Sequence, residues 1–191
     1  MDIRSFLAIE FPTSIQDAIV RETAVLREHF PFPDIRWVTP RNIHLTLKFL
    51  GNGSSQRLEI LARSLGLAIK EIKPFRMGFA QAGVFPPSGR PRIIWLGIDP
   101  PGSVSSLQMM IEETTKIQGF KREDRPFSPH ITIGRFSDSF PMHNYQNLME
   151  IIKPGDDLLS VFIDVRSITL FKSELRPSGS IYSVIHDIPL G

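Results

Sequence analysis

Two short stretches constrain this chain more than anything else in it: Asn42-Ile43-His44-Leu45-Thr46-Leu47-Lys48-Phe49-Leu50-Gly51 and Ser128-Pro129-His130-Ile131-Thr132-Ile133-Gly134-Arg135-Phe136. Each sets His-x-Thr-x inside a run of strand-forming residues, and one copy falls in each half of the 191 residues. A repeat this long is no solenoid unit; it suggests two related halves facing each other. Side chains alternate along a strand, so His44, Thr46 and Lys48 share one face while Leu45, Leu47 and Phe49 share the other. The second copy puts His130 and Thr132 on one face and Ile131 and Ile133 on the other. If both strands line one cleft, two imidazoles and two hydroxyls converge where a reacting group needs a base on one side and an acid on the other.

The rest of the chain sets outer limits. With 41% hydrophobic residues in 191, an ordinary core for one domain or two small lobes is within reach. A formal net charge of +2 is too small to imply a nucleic-acid binder by itself, so any attraction for polyanions has to come from a local patch. There is no cysteine, which removes disulfides, thiolate metal sites and cysteine nucleophiles. Charges at Asp2, Arg4 and Glu10 interrupt the first apolar run, unlike a signal peptide, and no apolar stretch approaches the ~18 to 20 residues of a membrane span. A cytoplasmic protein is expected.

The patterning predicts a strand over 3–11, then a helix capped within Pro12-Thr13-Ser14, with Ile15, Ala18, Ile19, Glu22 and Leu26 on one face and a stop at Pro31-Phe32-Pro33. A short strand over 35–38 leads to the first motif. Beyond Gly51-Asn52-Gly53, Ser54 caps a second helix striped by Leu58, Leu61, Leu65 and Ile69 and ended at Pro74. Strands over 75–84 and 92–98 form a hairpin around a Pro- and Gly-rich loop. A third helix carries Val104, Leu107, Ile111 and Thr114 as far as Gln118. After the second motif come a short helix over 145–152, stopped by Pro154-Gly155, and strands over 158–172 and 180–186 joined by Arg176-Pro177-Ser178-Gly179. Strands recur too often for a bundle and with too many hairpin links for a parallel sheet, so the fold class is α+β.

Both motifs, with Arg125-Pro126-Phe127 before the second and Arg135 within it, resemble the paired motifs of the 2H phosphoesterase superfamily, and among these the RNA 2′,3′-cyclic phosphodiesterases once called 2′-5′ RNA ligases. The likeness extends to Arg4-Ser5-Phe6-Leu7-Ala8-Ile9-Glu10, Trp37-Val38, Arg92-Ile93-Ile94-Trp95-Leu96-Gly97 and Ile168-Thr169-Leu170-Phe171, nearly the whole chain. It implies a single bilobal domain over 1–191: two pseudo-symmetric lobes, each an antiparallel sheet with flanking helices, around a central cleft.

The resemblance also implies the chemistry, which is hydrolysis of a 2′,3′-cyclic phosphate to a 2′-phosphate. His130 is the proton acceptor that activates water, and His44 the proton donor to the leaving 3′-oxygen. The residues themselves do not say which histidine is the acid, since either imidazole can serve near neutrality. Thr46 and Thr132 are expected to donate to the phosphoryl oxygens. Arg135, which the resemblance assigns to phosphate, has the wrong parity unless Gly134 marks a bulge. Lys48 reads equally as a phosphate contact or a surface charge. Arg41, Lys121, Arg122, Arg125 and Arg176 offer a basic rim for RNA, and Phe49, Phe127 and Trp37 a stacking surface, although Phe49 has core parity.

No metal and no cofactor are expected. A catalytic zinc wants three protein ligands, neither motif has a second ligand on its face, and His29, His143 and His186 look incidental. The expected partner is RNA ending in a 2′,3′-cyclic phosphate or a small cyclic nucleotide; no membrane contact is expected, and the chain should be a monomer. The alternatives are a phosphoesterase of small cyclic or 2′-5′-linked nucleotides, a 2′-5′ RNA ligase working in reverse, and a non-catalytic RNA-end binding protein.

Overall fold

The structure is a computed structural model and describes residues 2–31, 33–152, 161–177 and 179–191. Phe32, Pro154, Gly155, Leu158 and Ser178, which figure in the expected boundaries, lie outside the described residues.

The first strand, β1 (Asp2–Glu10), feeds a helical segment that is two helices rather than one, α1 (Thr13–Glu22) and α2 (Ala24–His29). Thr23 makes the break: its hydroxyl donates to the Ile19 carbonyl at 2.8 Å, competing with the backbone ladder in the way that bends helices. The stripe survives it, since Ile19 and Leu26 are both buried. The N-cap is Pro12, with no side-chain cap; its carbonyl accepts from the N–H groups of Ile15 and Gln16, and Thr13 and Ser14 lie in the first turn instead.

A three-residue strand β2 (Ile35–Trp37) and a 3₁₀ turn (Pro40–Asn42) lead to β3 (His44–Ser54), the first motif strand, which runs through the glycines expected to end it. Ser54 caps α3 (Ser55–Ile69), its hydroxyl accepting from the Arg57 N–H. Leu58, Leu61, Leu65 and Ile69 are fully buried, each side chain contributing roughly 1.5–3 kcal/mol. Next come the hairpin β4 (Phe75–Phe85) and β5 (Ile93–Asp99), then α4 (Gly102–Ile117), which buries Thr115 rather than Thr114, and β6 (His130–Phe136), the second motif strand.

After a second 3₁₀ turn (Met142–Asn144) and α5 (Tyr145–Ile151), the segment expected as one strand is two, β7 (Phe162–Val165) and β8 (Ser167–Arg176), in different sheets. The alternation that buries Ile163 and Val165 fails at Ser167 and Ile168, which marks the crossing. The final strand β9 (Gly179–Pro189) extends past the expected end at His186 because it stays paired with β8 to Pro189.

The strands form two sheets, β3-β1-β8-β9 and β2-β6-β5-β4-β7, antiparallel in every pairing. The run β6-β5-β4-β7 repeats β3-β1-β8-β9, each led by a motif strand, and the two motif strands touch. One buried cluster draws on both halves, from Leu45 and Leu61 to Ile111 and Ile131, and α3 packs on α4 across it. A separate patch of Phe6, Ala8 and Phe171 lies on the other face of the four-stranded sheet, the face that carries His44. No described helix is long and apolar enough to cross a membrane.

Candidate active site

Both motif strands carry a bulge at the same place. In β3, Thr46 faces Ala8 and Lys48 faces Leu7, leaving Leu47 unmatched; in β6, Thr132 faces Trp95 and Gly134 faces Ile94, leaving Ile133 unmatched. One extra residue inverts the alternation beyond it, so up to each threonine the side chains follow the simple strand rule and past it they do not.

Three expectations change as a result. Lys48 leaves the His44 face and is 2% exposed, donating to both Glu112 carboxylate oxygens at 3.0 and 2.9 Å and to the Lys121 carbonyl at 2.9 Å. Phe49 leaves the core and is 60% exposed, 6.1 Å from the Phe6 ring. Arg135 does turn outward, but the unmatched residue is Ile133 rather than Gly134. The glycine serves a different need, because a Cβ there would come 3.0 Å from Ile35 and 3.1 Å from the Trp37 indole.

The two imidazoles are held alike. His44 donates from Nδ1 to the Asn42 carbonyl, and His130 from Nδ1 to the Ser128 carbonyl, both at 2.7 Å. A carbonyl only accepts, so each neutral ring carries its proton on Nδ1 and presents a bare Nε2. Thr46 Oγ1 lies 3.0 Å from His44 Nε2 and donates to it. Asn42, whose side-chain amide donates to the Ser180 carbonyl at 2.8 Å, fixes the 3₁₀ turn against β9.

Their surroundings differ. His44 sits among Phe6, Tyr182 and Phe171, at ring separations of 5.0, 5.3 and 6.2 Å. Burial beneath those rings pushes its pKa down from 6.5 to about 4; the hydrogen bond to Asn42 acts the other way, and the positive charge of Arg135 adds to the fall. The arginine of the second motif therefore acts on the histidine of the first, and the strands that carry them, β6 and β3, are in contact. His130 stands edge-on to Phe85 at 5.1 Å, and Phe85 stacks on Trp95 at 5.0 Å. Trp95, cross-strand from Thr132, has a buried indole N–H without a partner, and its ring fits because Gly83 has no side chain: a Cβ there would come within 2.4 Å of it.

In the sequence these rings carry no signal beyond the flanking likenesses at Phe6, Trp95 and Phe171, because their convergence needs the sheet order. Of the expected stacking residues, Trp37 and Phe127 pack against the core, with the Trp37 indole N–H on the Phe30 carbonyl at 2.9 Å. The basic rim is largely neutralised. Lys121 pairs with Asp124, Arg122 with Glu113 and Arg176 with Glu174, while Arg41 and Arg125 have no ion pair among the described residues. Arg36, in the short strand β2, has a parity between Ile35 and Trp37 that points it away from the core, and it lies cross-strand from Arg135.

His186 pairs with Glu59 at 2.7 Å, His29 bonds its own helix through the Val25 carbonyl, and His143 lies in a 3₁₀ turn, each away from the motifs. Among the described residues no three His, Cys, Asp or Glu side chains gather as metal ligands.

Comparison with known proteins returns the same duplication. A family model described as LigT like phosphoesterase matches the chain twice, over residues 9–95 and 96–182. The RNA 2′,3′-cyclic phosphodiesterase of Methanothermobacter thermautotrophicus is 31% identical over 186 residues, covering 96% of each chain. That of Methanocaldococcus jannaschii is 34% identical over 186 residues, covering 97% of this chain and 99% of its own. Among solved structures, Escherichia coli LigT complexed with 3′-AMP superposes with a TM-score of 0.79 at 29% identity, covering 100% of this chain and 99% of its own. With one motif strand in each matched half and these likenesses running from end to end, the chain belongs to the LigT-like phosphoesterase family.

Proposed function

We propose that this chain hydrolyses RNA 2′,3′-cyclic phosphodiester ends to 2′-phosphomonoesters, with residues 1–191 acting as one bilobal unit and its own side chains as acid and base. One observation carries the reading: two imidazoles on repeated strands, each held by Nδ1 on the carbonyl two residues before it at 2.7 Å, so that Nε2 is the nitrogen offered to substrate. His130 Nε2 takes a proton from water as the water oxygen bonds to phosphorus. The bond from phosphorus to O3′ breaks, its electron pair stays on O3′, and O3′ takes the proton from Nε2 of His44. The reaction leaves His130 protonated and His44 neutral, and solvent exchange restores both. The family resemblance supports choosing His44 as the donor.

His44 must therefore be an imidazolium when substrate is bound, although the free chain holds it neutral at pH 7. The phosphodiester anion restores the proton: bound beside His44 Nε2, its negative charge favours the imidazolium directly, against the burial that does most to lower the His44 pKa, and it also offsets the smaller effect of Arg135. Thr46 then turns from Nε2 to a phosphoryl oxygen, Thr132 donates from the other side, and Arg135 holds the charge that grows in the transition state.

The test is hydrolysis of a short RNA ending in a 2′,3′-cyclic phosphate, in EDTA, with the position of the product phosphate determined. The expected result is a 2′-phosphate, with His44→Ala and His130→Ala each costing about 10²- to 10⁴-fold. Tight binding without turnover would make the chain an RNA-end binder and overturn the reading. A second reading, hydrolysis of small cyclic nucleotides, is favoured by the nucleoside monophosphate in the E. coli LigT complex; a nucleoside 2′,3′-cyclic phosphate in the same assay separates the two.

A further inference from the structure

The five-stranded sheet has a strand that its counterpart lacks. In the four-stranded sheet the motif strand β3 is itself the edge, whereas β6 is flanked by β2. Ile35 is fully buried and Trp37 packs against the core, so the one β2 side chain turned to the site face is that of Arg36. It lies directly opposite Arg135, and residues so opposed project from the same face. Two like charges in that relation destabilise a sheet. Both guanidinium groups are exposed, and among the described residues neither has a carboxylate within ion-pair distance. The pair opens onto a cavity of about 370 Å³ lined also by Pro33, Phe136, Ser137 and Asp138. Its lining carries two positive charges against one negative, and the Ser137 hydroxyl shares a hydrogen bond with that of Ser139 at 3.0 Å. An anion there relieves the repulsion, and a planar fork of N–H groups suits a phosphate.

We propose that Arg36 and this cavity hold the phosphodiester immediately 5′ of the reacting nucleotide, so that the chain prefers an RNA end to a nucleoside 2′,3′-cyclic phosphate. The inference rests on the function proposed above and names its substrate class. Arg135 serves the reacting phosphate in that reading, since its strand β6 touches β3, which carries His44, and its charge is felt there. Arg36 stands one strand further out, about 4.8 Å away across the sheet, on the same face as Arg135. The upstream phosphate of an RNA end meets the second guanidinium; a mononucleotide has nothing to offer it.

The experiment measures kcat/KM for a trinucleotide ending in a 2′,3′-cyclic phosphate and for adenosine 2′,3′-cyclic phosphate, against salt, with the wild type, Arg36→Gln and Arg36→Lys. The wild type is expected to favour the trinucleotide. Arg36→Gln should lower the trinucleotide value about tenfold more than the mononucleotide value, chiefly through KM, and reduce the trinucleotide salt slope by about 0.7. Arg36→Lys keeps the charge and should keep that slope. Equal losses on both substrates would move Arg36 to the reacting phosphate, and no loss on either would empty the subsite. Wild-type turnover of the mononucleotide alone would overturn the subsite while leaving a cyclic phosphodiesterase, whereas turnover of neither substrate would overturn the function as well.

Discussion

At the scale of single residues the site is governed by how His44 is buried. Its pKa falls from 6.5 to about 4 in the folded chain, so the unfolded chain binds more protons than the folded one between those values. Stability is therefore fully present above pH 6.5 and is lost as pH falls towards 4. The loss should be about 2 kcal/mol once the partial exposure of the ring is allowed for. Urea unfolding of wild type and His44→Gln at pH 4.5 and 7 checks this: the wild type should lose stability on acidification and the variant should lose about 2 kcal/mol less. The causes can also be separated by NMR titration of His44. Tyr182→Ala, which opens the aromatic surround, should raise the pKa more than Arg135→Gln, which removes only a charge. A larger rise in Arg135→Gln would make electrostatics, not desolvation, the leading cause.

At the scale of elements the two bulges decide which side chains meet substrate. In β3 the bulge drives a lysine into the core, where Glu112 on α4 receives it while also accepting from the Glu123 N–H at 3.0 Å. The motif strand of one half is thereby tied to the segment that leads into the motif strand of the other. Lys48→Met should cost about 3–5 kcal/mol by stranding a buried carboxylate, and adding Glu112→Leu should recover most of it. A surface lysine would show less than about 0.5 kcal/mol, so chemical denaturation distinguishes the cases. The same bulge sets Phe49 where its counterpart strand sets Arg135, so the repeated halves present an aromatic ring on one side and a guanidinium on the other.

At the scale of the whole molecule the halves share one core, and cooperativity should follow. Leu61 on α3 and Ile111 on α4 are both fully buried in that cluster. Leu61→Ala and Ile111→Ala should each cost about 2–5 kcal/mol and shift one common transition. The two tryptophans, Trp37 and Trp95, both lie in the five-stranded sheet, so fluorescence reports that sheet while circular dichroism reports both. Coincident midpoints in both variants are expected; a fluorescence midpoint that ignores Leu61→Ala would mean that the halves unfold separately.

What is local and periodic in this fold was legible in the order of residues. Apolar stripes on α3 and α4, strand alternation up to each threonine, and the identity of the repeated His-x-Thr pairs were all legible, because each depends on neighbours within a few residues. Boundaries set by competition were not: Thr23 splits a helix through one hydroxyl, and a strand crosses between sheets at Ser167. Nor could alternation survive the bulges at Leu47 and Ile133, which exist only in register with β1 and β5 and which decided the places of Lys48, Phe49 and Arg135. The aromatic surround that lowers the His44 pKa, and the pairing of Arg36 with Arg135, were decided by tertiary structure alone. Their members come from strands far apart in the chain, and only sheet order and register bring such residues within contact.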